Sequence, residues 1–125
     1  MGNAVDKGTG FSFHVNRYVA GSETDMYKHG YAEFLYVSDG SLTEHVCGDK
    51  VHIKKGDVCF INSGCVHKES FEEDDTFVIR LEVSDEIIKK VGYRNKGYFY
   101  RIFTEKYNMT PAKFRKYIKE KEFTI

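Results

Sequence analysis

Two hydrophobic periods divide the chain. Phe11, Phe13 and Val15 alternate with Ser12 and His14, and Phe77, Ile79, Leu81 and Val83 alternate with Val78, Arg80 and Glu82. Alternation of this kind marks a strand with one face buried. Between these two segments, 31–37, 42–47, 50–54 and 57–61 are rich in β-branched or aromatic residues, which favour strands. Asp39-Gly40, Gly48-Asp49, Lys55-Gly56 and Ser63-Gly64 supply turn chemistry at short intervals. Closely spaced short strands predict a small antiparallel sandwich or barrel, with the acidic stretch 72–75 as a loop before the last strand.

At Ser84 the period changes. Ile87, Ile88 and Val91 recur at three and four residues, Ser84 suits an N-cap, and Asp85 and Glu86 suit the first turn against the helix dipole. Gly92 suits a helix C′ position. A second helix is predicted from Asn95 to about Tyr107, with Phe99, Ile102, Phe103 and Tyr107 as its apolar stripe. Thr110-Pro111 then opens a third, with Phe114, Tyr117 and Ile118 inward. The fold class is α+β: a small antiparallel β-barrel over 1–83, followed by a three-helix segment with a helix-turn-helix over 84–125.

Charge separates the same two parts. Residues 1–83 carry 8 Lys/Arg against 14 Asp/Glu, a net −6, whereas 84–125 carry 11 against 5, a net +6. A basic half suits a polyanion partner, although lysines also decorate ordinary solvated helices. With 125 residues the chain is short for two independent domains. No apolar run approaches the roughly 18–20 residues that span a bilayer, and the N-terminus lacks a secretory h-region, so a cytoplasmic, non-membrane protein is expected. Cys47, Cys59 and Cys65 are odd in number and lack CxxC spacing. This argues against a disulfide framework or thiolate zinc site and predicts buried reduced thiols. A redox role would need an accessible thiol.

The predicted second helix leaves Lys96, Tyr100 and Arg101 outward, with Arg94 and Asn95 just ahead. Cations and hydrogen-bonding groups at the N-terminal end of a helix are what a recognition helix requires. On physics alone a basic helical pair is more often a packed hairpin. The residues say more: Val91-Gly92-Tyr93, then Tyr98-Phe99-Tyr100-Arg101-Ile102-Phe103, then Met109-Thr110-Pro111-Ala112-Lys113-Phe114-Arg115. In type and spacing they resemble the second helix-turn-helix of AraC/XylS-type bacterial transcription regulators. The resemblance implies that Lys96, Tyr100 and Arg101 face duplex DNA, with Arg94 and Asn95 near its backbone.

The front part resembles the cupin-like effector domain such regulators often carry. His29, Glu33 and Gly40 match the first cupin motif, and Gly56, Gly64 and His67 match the second. Tyr27 replaces the motif's first histidine, and Asn62 stands where proline is common. The resemblance implies a pocket in which His29, Glu33 and His67 orient a small-molecule effector, with no catalytic residue, resident metal or other cofactor expected. His14, His45 and His52 read as surface or sheet residues. The family's linker and first helix-turn-helix do not appear between barrel and final helices, so a homodimer would be needed to present two recognition helices. The leading expectation is therefore an effector-responsive, non-enzymatic DNA-binding regulator in shortened form. The alternative is a small-ligand-binding cupin module or competitor that no longer binds DNA, and a metal-dependent cupin enzyme ranks behind both.

Overall fold

The computed structural model describes residues 10–26, 30–91 and 96–123, side chains at 96 and 118–123 excepted. The chain divides into compact units of residues 1–94 and 95–125. The first unit holds seven strands: β1 Phe11–Tyr18, β2 Ala32–Asp39, β3 Ser41–Val46, β4 Asp49–Lys54, β5 Val58–Ile61, β6 His67–Phe71 and β7 Thr76–Val83. It also includes helix α1, Asp85–Val91. The second holds α2 Lys96–Tyr107 and α3 Pro111–Phe123.

The strands form two antiparallel sheets, ordered β1-β7-β2-β5 and β4-β3-β6. The expected closed barrel is thus corrected to two facing sheets. Among the described residues, the segment after β1 gives one backbone link between them, and the turn after β4 gives another, Gly56 N–H donating to Val37 O at 2.8 Å. Gly21 N–H donates to Phe71 O and Phe71 N–H to Ser22 O, each at 2.9 Å, and Thr24 N–H donates to Glu69 O at 2.9 Å.

Register decides which residues face inward. Leu35 pairs with Arg80 and Val37 with Val78, while Leu42 lies between Ile53 and Phe71. Leu35, Val37, Val78, Leu42, Ile53 and Phe71 form one buried apolar cluster from both sheets. Each such side chain stabilises the fold by about 1.5–3 kcal/mol. Tyr18 stacks on Phe71 at 3.8 Å between ring centroids.

The alternation of β7 predicts one buried face, yet all eight of its residues are buried. Its polar set, Arg80 and Glu82, shares the register face of the apolar cluster, so charged groups occupy the space between the sheets. Phe77, Ile79, Leu81 and Val83 lie on the opposite face. The sandwich interior is therefore apolar at one end and ionic at the other.

Turn and cap chemistry follow the sequence closely. Gly40 has φ +77°, and a Cβ there would lie 2.9 Å from Thr76 Cα. Ser84 caps α1: its Oγ accepts from Ile87 N–H at 3.4 Å and its carbonyl from Ile88 N–H at 3.1 Å. In the second unit, Thr110 Oγ1 accepts from Lys113 N–H at 3.2 Å, with Pro111 as the first helical residue. Asn108, at φ 56°, closes α2 through its N–H to Thr104 O at 2.8 Å. Phe99 and Phe103 are fully buried, and Phe103 meets Phe114 edge-on at 5.3 Å. One expectation is corrected: Tyr117 is 45% exposed, and Arg115 is buried instead. At 100° per residue, Tyr117 falls well off the stripe through Pro111, Phe114 and Arg115. Ile118 lies outside the described side chains. Among the described residues no helix is long and apolar enough to cross a membrane.

Candidate functional site

The ionic end of the sandwich is assembled from alternate positions on five strands. On β6, His67 and Glu69 share a face with Phe71; on β3, Glu44 pairs directly with Glu69. Across the gap, β2 contributes Glu33, which pairs with Glu82 of β7, and β7 also contributes Arg80. Strand β1 adds His14, Asn16 and Tyr18. Glu33, Glu44, His67, Glu69, Arg80 and Glu82 are all buried.

Two networks hold these groups. In the first, His67 Nδ1 lies 2.9 Å from Glu44 Oε1 and 3.0 Å from Glu69 Oε2. A ring nitrogen facing two carboxylate oxygens carries the proton and donates it. Glu69 Oε1 accepts from Arg80 Nη2 at 2.6 Å, and Arg80 Nη1 donates to Tyr18 OH at 2.7 Å and Asn16 Oδ1 at 3.4 Å. In the second, Glu82 Oε1 pairs with His14 Nε2 at 2.8 Å, while its Oε2 accepts from Tyr31 OH at 2.9 Å.

These partners set the charges. Burial disfavours the imidazolium of His67, but its bonds to Glu44 and Glu69 outweigh that and raise its pKa. Burial also pushes Glu44 up, against the pull of His67. Glu69 goes the other way: burial is overcome by His67 and Arg80, which hold it ionised.

Glu44 Oε2 is buried without a hydrogen-bond partner among the described residues, and Glu33 goes further. Neither of its carboxylate oxygens has a hydrogen-bond partner among the described residues, although the side chain is 1% exposed. Burial raises its pKa to about 7, with Arg80 opposing and Glu69 reinforcing. Buried polar atoms are nearly always bonded, so an exception of this kind asks for an explanation.

Glu44, His67 and Glu69 place three potential metal-ligand atoms within 4.8 Å of one another. The donor types suit a divalent ion. The arrangement is also that of a proton shared among hydrogen bonds: an ion at Nδ1 would replace that proton, with Glu69 reaching it through Oε2 while Oε1 stays on Arg80. The same three atoms serve either a shared proton or a divalent ion.

Of the three residues expected to orient a ligand, Glu33 and His67 enter this ionic end, and His29 lies outside the described residues, as does Tyr27. Sequence reasoning passed over Glu44, Glu69, Arg80 and Glu82, and took His14 for a surface or sheet residue. The available signal was charge at inward positions of strands whose neighbouring inward positions are apolar. Of the expected DNA-facing residues, Arg94 and Asn95 lie outside the described residues, and Lys96 opens α2 with its side chain outside them. Tyr100 is exposed, and Arg101, also exposed, lies 3.8 Å from Glu105 and over the Tyr98 ring at 5.4 Å.

Solved structures share the sheet arrangement. A predicted oxalate decarboxylase from Thermotoga maritima is 29% identical, with a TM-score of 0.58 over 62% of this chain and 70% of that one. KdgF from Halomonas sp. is 19% identical, with a TM-score of 0.53 over 66% of this chain and 87% of that one. The DMSP lyase DddQ from Ruegeria pomeroyi is 19% identical, with a TM-score of 0.56 over 61% of this chain and 39% of that one. The latter two likenesses concern the fold alone. No curated protein sequence matches the chain. The cupin domain family (Cupin_2) matches residues 5–84, all seven strands among them, and the chain belongs to that family.

Proposed function

We propose that this protein is a small-ligand-binding cupin module whose site is the ionic end between the two sheets. The ligand presents N–H or O–H donors to Glu33, a protonated amine foremost. The observation that carries this reading is the pair of buried Glu33 oxygens without a described hydrogen-bond partner. A ligand donor would satisfy them, and a positive one would also favour the ionised form of Glu33. Binding without turnover is supported by the state of the other groups. His67 is held by two carboxylates, Glu69 by Arg80, and Glu82 by His14 and Tyr31, so each of these three is tied to a partner within the protein.

A thermal-shift panel of small amines, polyols, carboxylates and divalent metal salts tests this. Donor-bearing compounds are expected to raise the melting temperature of the wild type and to lose that effect in Glu33→Gln. Stabilisation by carboxylates alone, or by a metal at one equivalent and abolished in His67→Ala, would overturn the donor reading.

A second reading rests on the helical segment. Its Tyr-Phe-x-Arg-x-Phe and Thr-Pro signatures resemble an AraC-type helix-turn-helix, and the observed starts of α2 at Lys96 and α3 at Pro111 agree with that pattern. In this reading the ligand would be the effector of a shortened DNA-binding regulator. Fluorescence anisotropy with duplex DNA at low salt tests it: binding that weakens with salt and in Arg101→Ala supports it, and no binding removes it.

A further inference from the structure

Two of the three cysteines meet at the surface. Cys47 Sγ and Cys65 Sγ are 2.6 Å apart, separated by 18 positions in sequence. This is inside the contact distance of two sulfurs and approaches the roughly 2.05 Å of a disulfide bond. Cys47 is exposed and Cys65 half-buried, as is Cys59, which corrects the expectation of buried thiols.

The backbone at Cys47 points the same way. Cys47 and Gly48 connect β3 to β4 with φ 49° and 83°. A two-residue hairpin turn with both residues at positive φ favours Asn, Asp or Gly. A cysteine there is disfavoured by its Cβ, so turn chemistry does not account for it. The neighbouring segment is already fixed beside it: Cys47 N–H donates to Val66 O at 3.3 Å, and Cys65 N–H to Asn62 O at 3.4 Å.

We propose that Cys47 and Cys65 are a redox modification site, closing reversibly to an intramolecular disulfide. With hydrogen peroxide as oxidant, the more exposed Cys47 thiolate attacks one peroxide oxygen, the O–O bond breaks, and Cys47 becomes a sulfenic acid; the hydroxide released takes up the proton lost by the thiol and leaves as water. Cys65 then attacks that sulfur, and the S–S bond forms as a second water leaves. With a small disulfide as oxidant, Cys47 forms the mixed disulfide, Cys65 displaces the remaining thiol, and two small thiols are released. A dithiol reductant reverses either route. The closed bond ties the β3–β4 turn to the lead-in of β6, three residues after Glu44 on one side and two before His67 on the other. Oxidation thereby stiffens the rim of the ionic end. Cys59 lies on β5 against the apolar cluster and takes no part.

The test uses the full chain at low concentration with oxidised glutathione or hydrogen peroxide. Alkylation and peptide mass mapping then follow. The expected product is a monomer lacking two hydrogens, with Cys47 linked to Cys65 and Cys59 alkylated. Cys59→Ser should close equally well, whereas Cys47→Ser and Cys65→Ser should not close. The oxidised protein should also resist unfolding, by about a hundredfold in the equilibrium constant for a loop of this size. Stable glutathione adducts on Cys47 without closure would overturn the proposal. So would disulfide-linked dimers or equal alkylation of all three cysteines after oxidation.

Discussion

Arg80 on β7 and Glu69 on β6 join the two sheets through a 2.6 Å charged hydrogen bond, buried on both sides. The other Glu69 oxygen holds His67, and the other Arg80 nitrogen reaches Tyr18 and Asn16, so this pair is the hinge point of the ionic end. Removing one member strands the other charge in the interior. Arg80→Ala and Glu69→Ala should each cost about 3–5 kcal/mol in urea unfolding. The Arg80→Met/Glu69→Leu double variant should cost less than the sum of its single changes. A loss under about 1 kcal/mol in each single variant would mean that the pair is solvated.

Glu33 gives the site a pH dependence of definite sign. Its folded pKa of about 7 lies above the 4.5 of an ordinary glutamate, so between those values the folded state binds more protons than the unfolded one. Stability from this group is therefore full below about pH 4.5 and falls as pH rises through about 7. The fall amounts to about 3 kcal/mol at 1.36 kcal/mol per pKa unit. Glu33→Gln should flatten that part of the stability profile, measured by urea unfolding across the window. A constant wild-type-to-variant difference throughout would contradict the assignment. His67, with its pKa also raised, contributes stability at lower pH that is lost at higher pH, and the Gln variant retains that part.

Gly40 tests the packing between the β2–β3 turn and β7. Positive φ and the close approach to Thr76 both oppose a side chain there. Gly40→Ala should destabilise the protein by more than about 1 kcal/mol in thermal unfolding. A neutral result would mean that the turn relaxes freely.

The helical unit has its own marker in Thr110. Thr110→Ala removes the acceptor for Lys113 N–H and should cost about 1 kcal/mol of helix stability, read as reduced helical circular dichroism and faster amide exchange at the start of α3. Unchanged exchange at Lys113 would show that the cap contributes nothing.

Much of the fold was legible in the residues, and the part that was not coincides with the site. Strands β1 to β5 and β7 stand out through apolar alternation or β-branched runs, and Ser84, Thr110 and Pro111 mark helix starts that the structure reproduces. Strand β6 escaped because His67 and Glu69 occupy two of its three inward positions, which erases the hydrophobic alternation that reveals a strand. The facing of β7 was misread for the same reason. Arg80 and Glu82 look like the solvent side of an amphipathic strand until their partners on neighbouring strands are known. Glu33 and His67 were legible only through their motif spacing. Partners such as Glu44 and Tyr31 depend on contacts distant in sequence.

The central claim is that Glu33 receives a donor from a small ligand. It is tested most directly by NMR titration of the Glu33 side-chain carboxyl carbon, with and without the amine or polyol that most stabilises the protein. The account predicts a midpoint near about 7 without ligand and a clearly lower one with it, because a bonded donor favours the carboxylate. A midpoint near 4.5 without ligand, or one that bound ligand leaves unmoved, would contradict it.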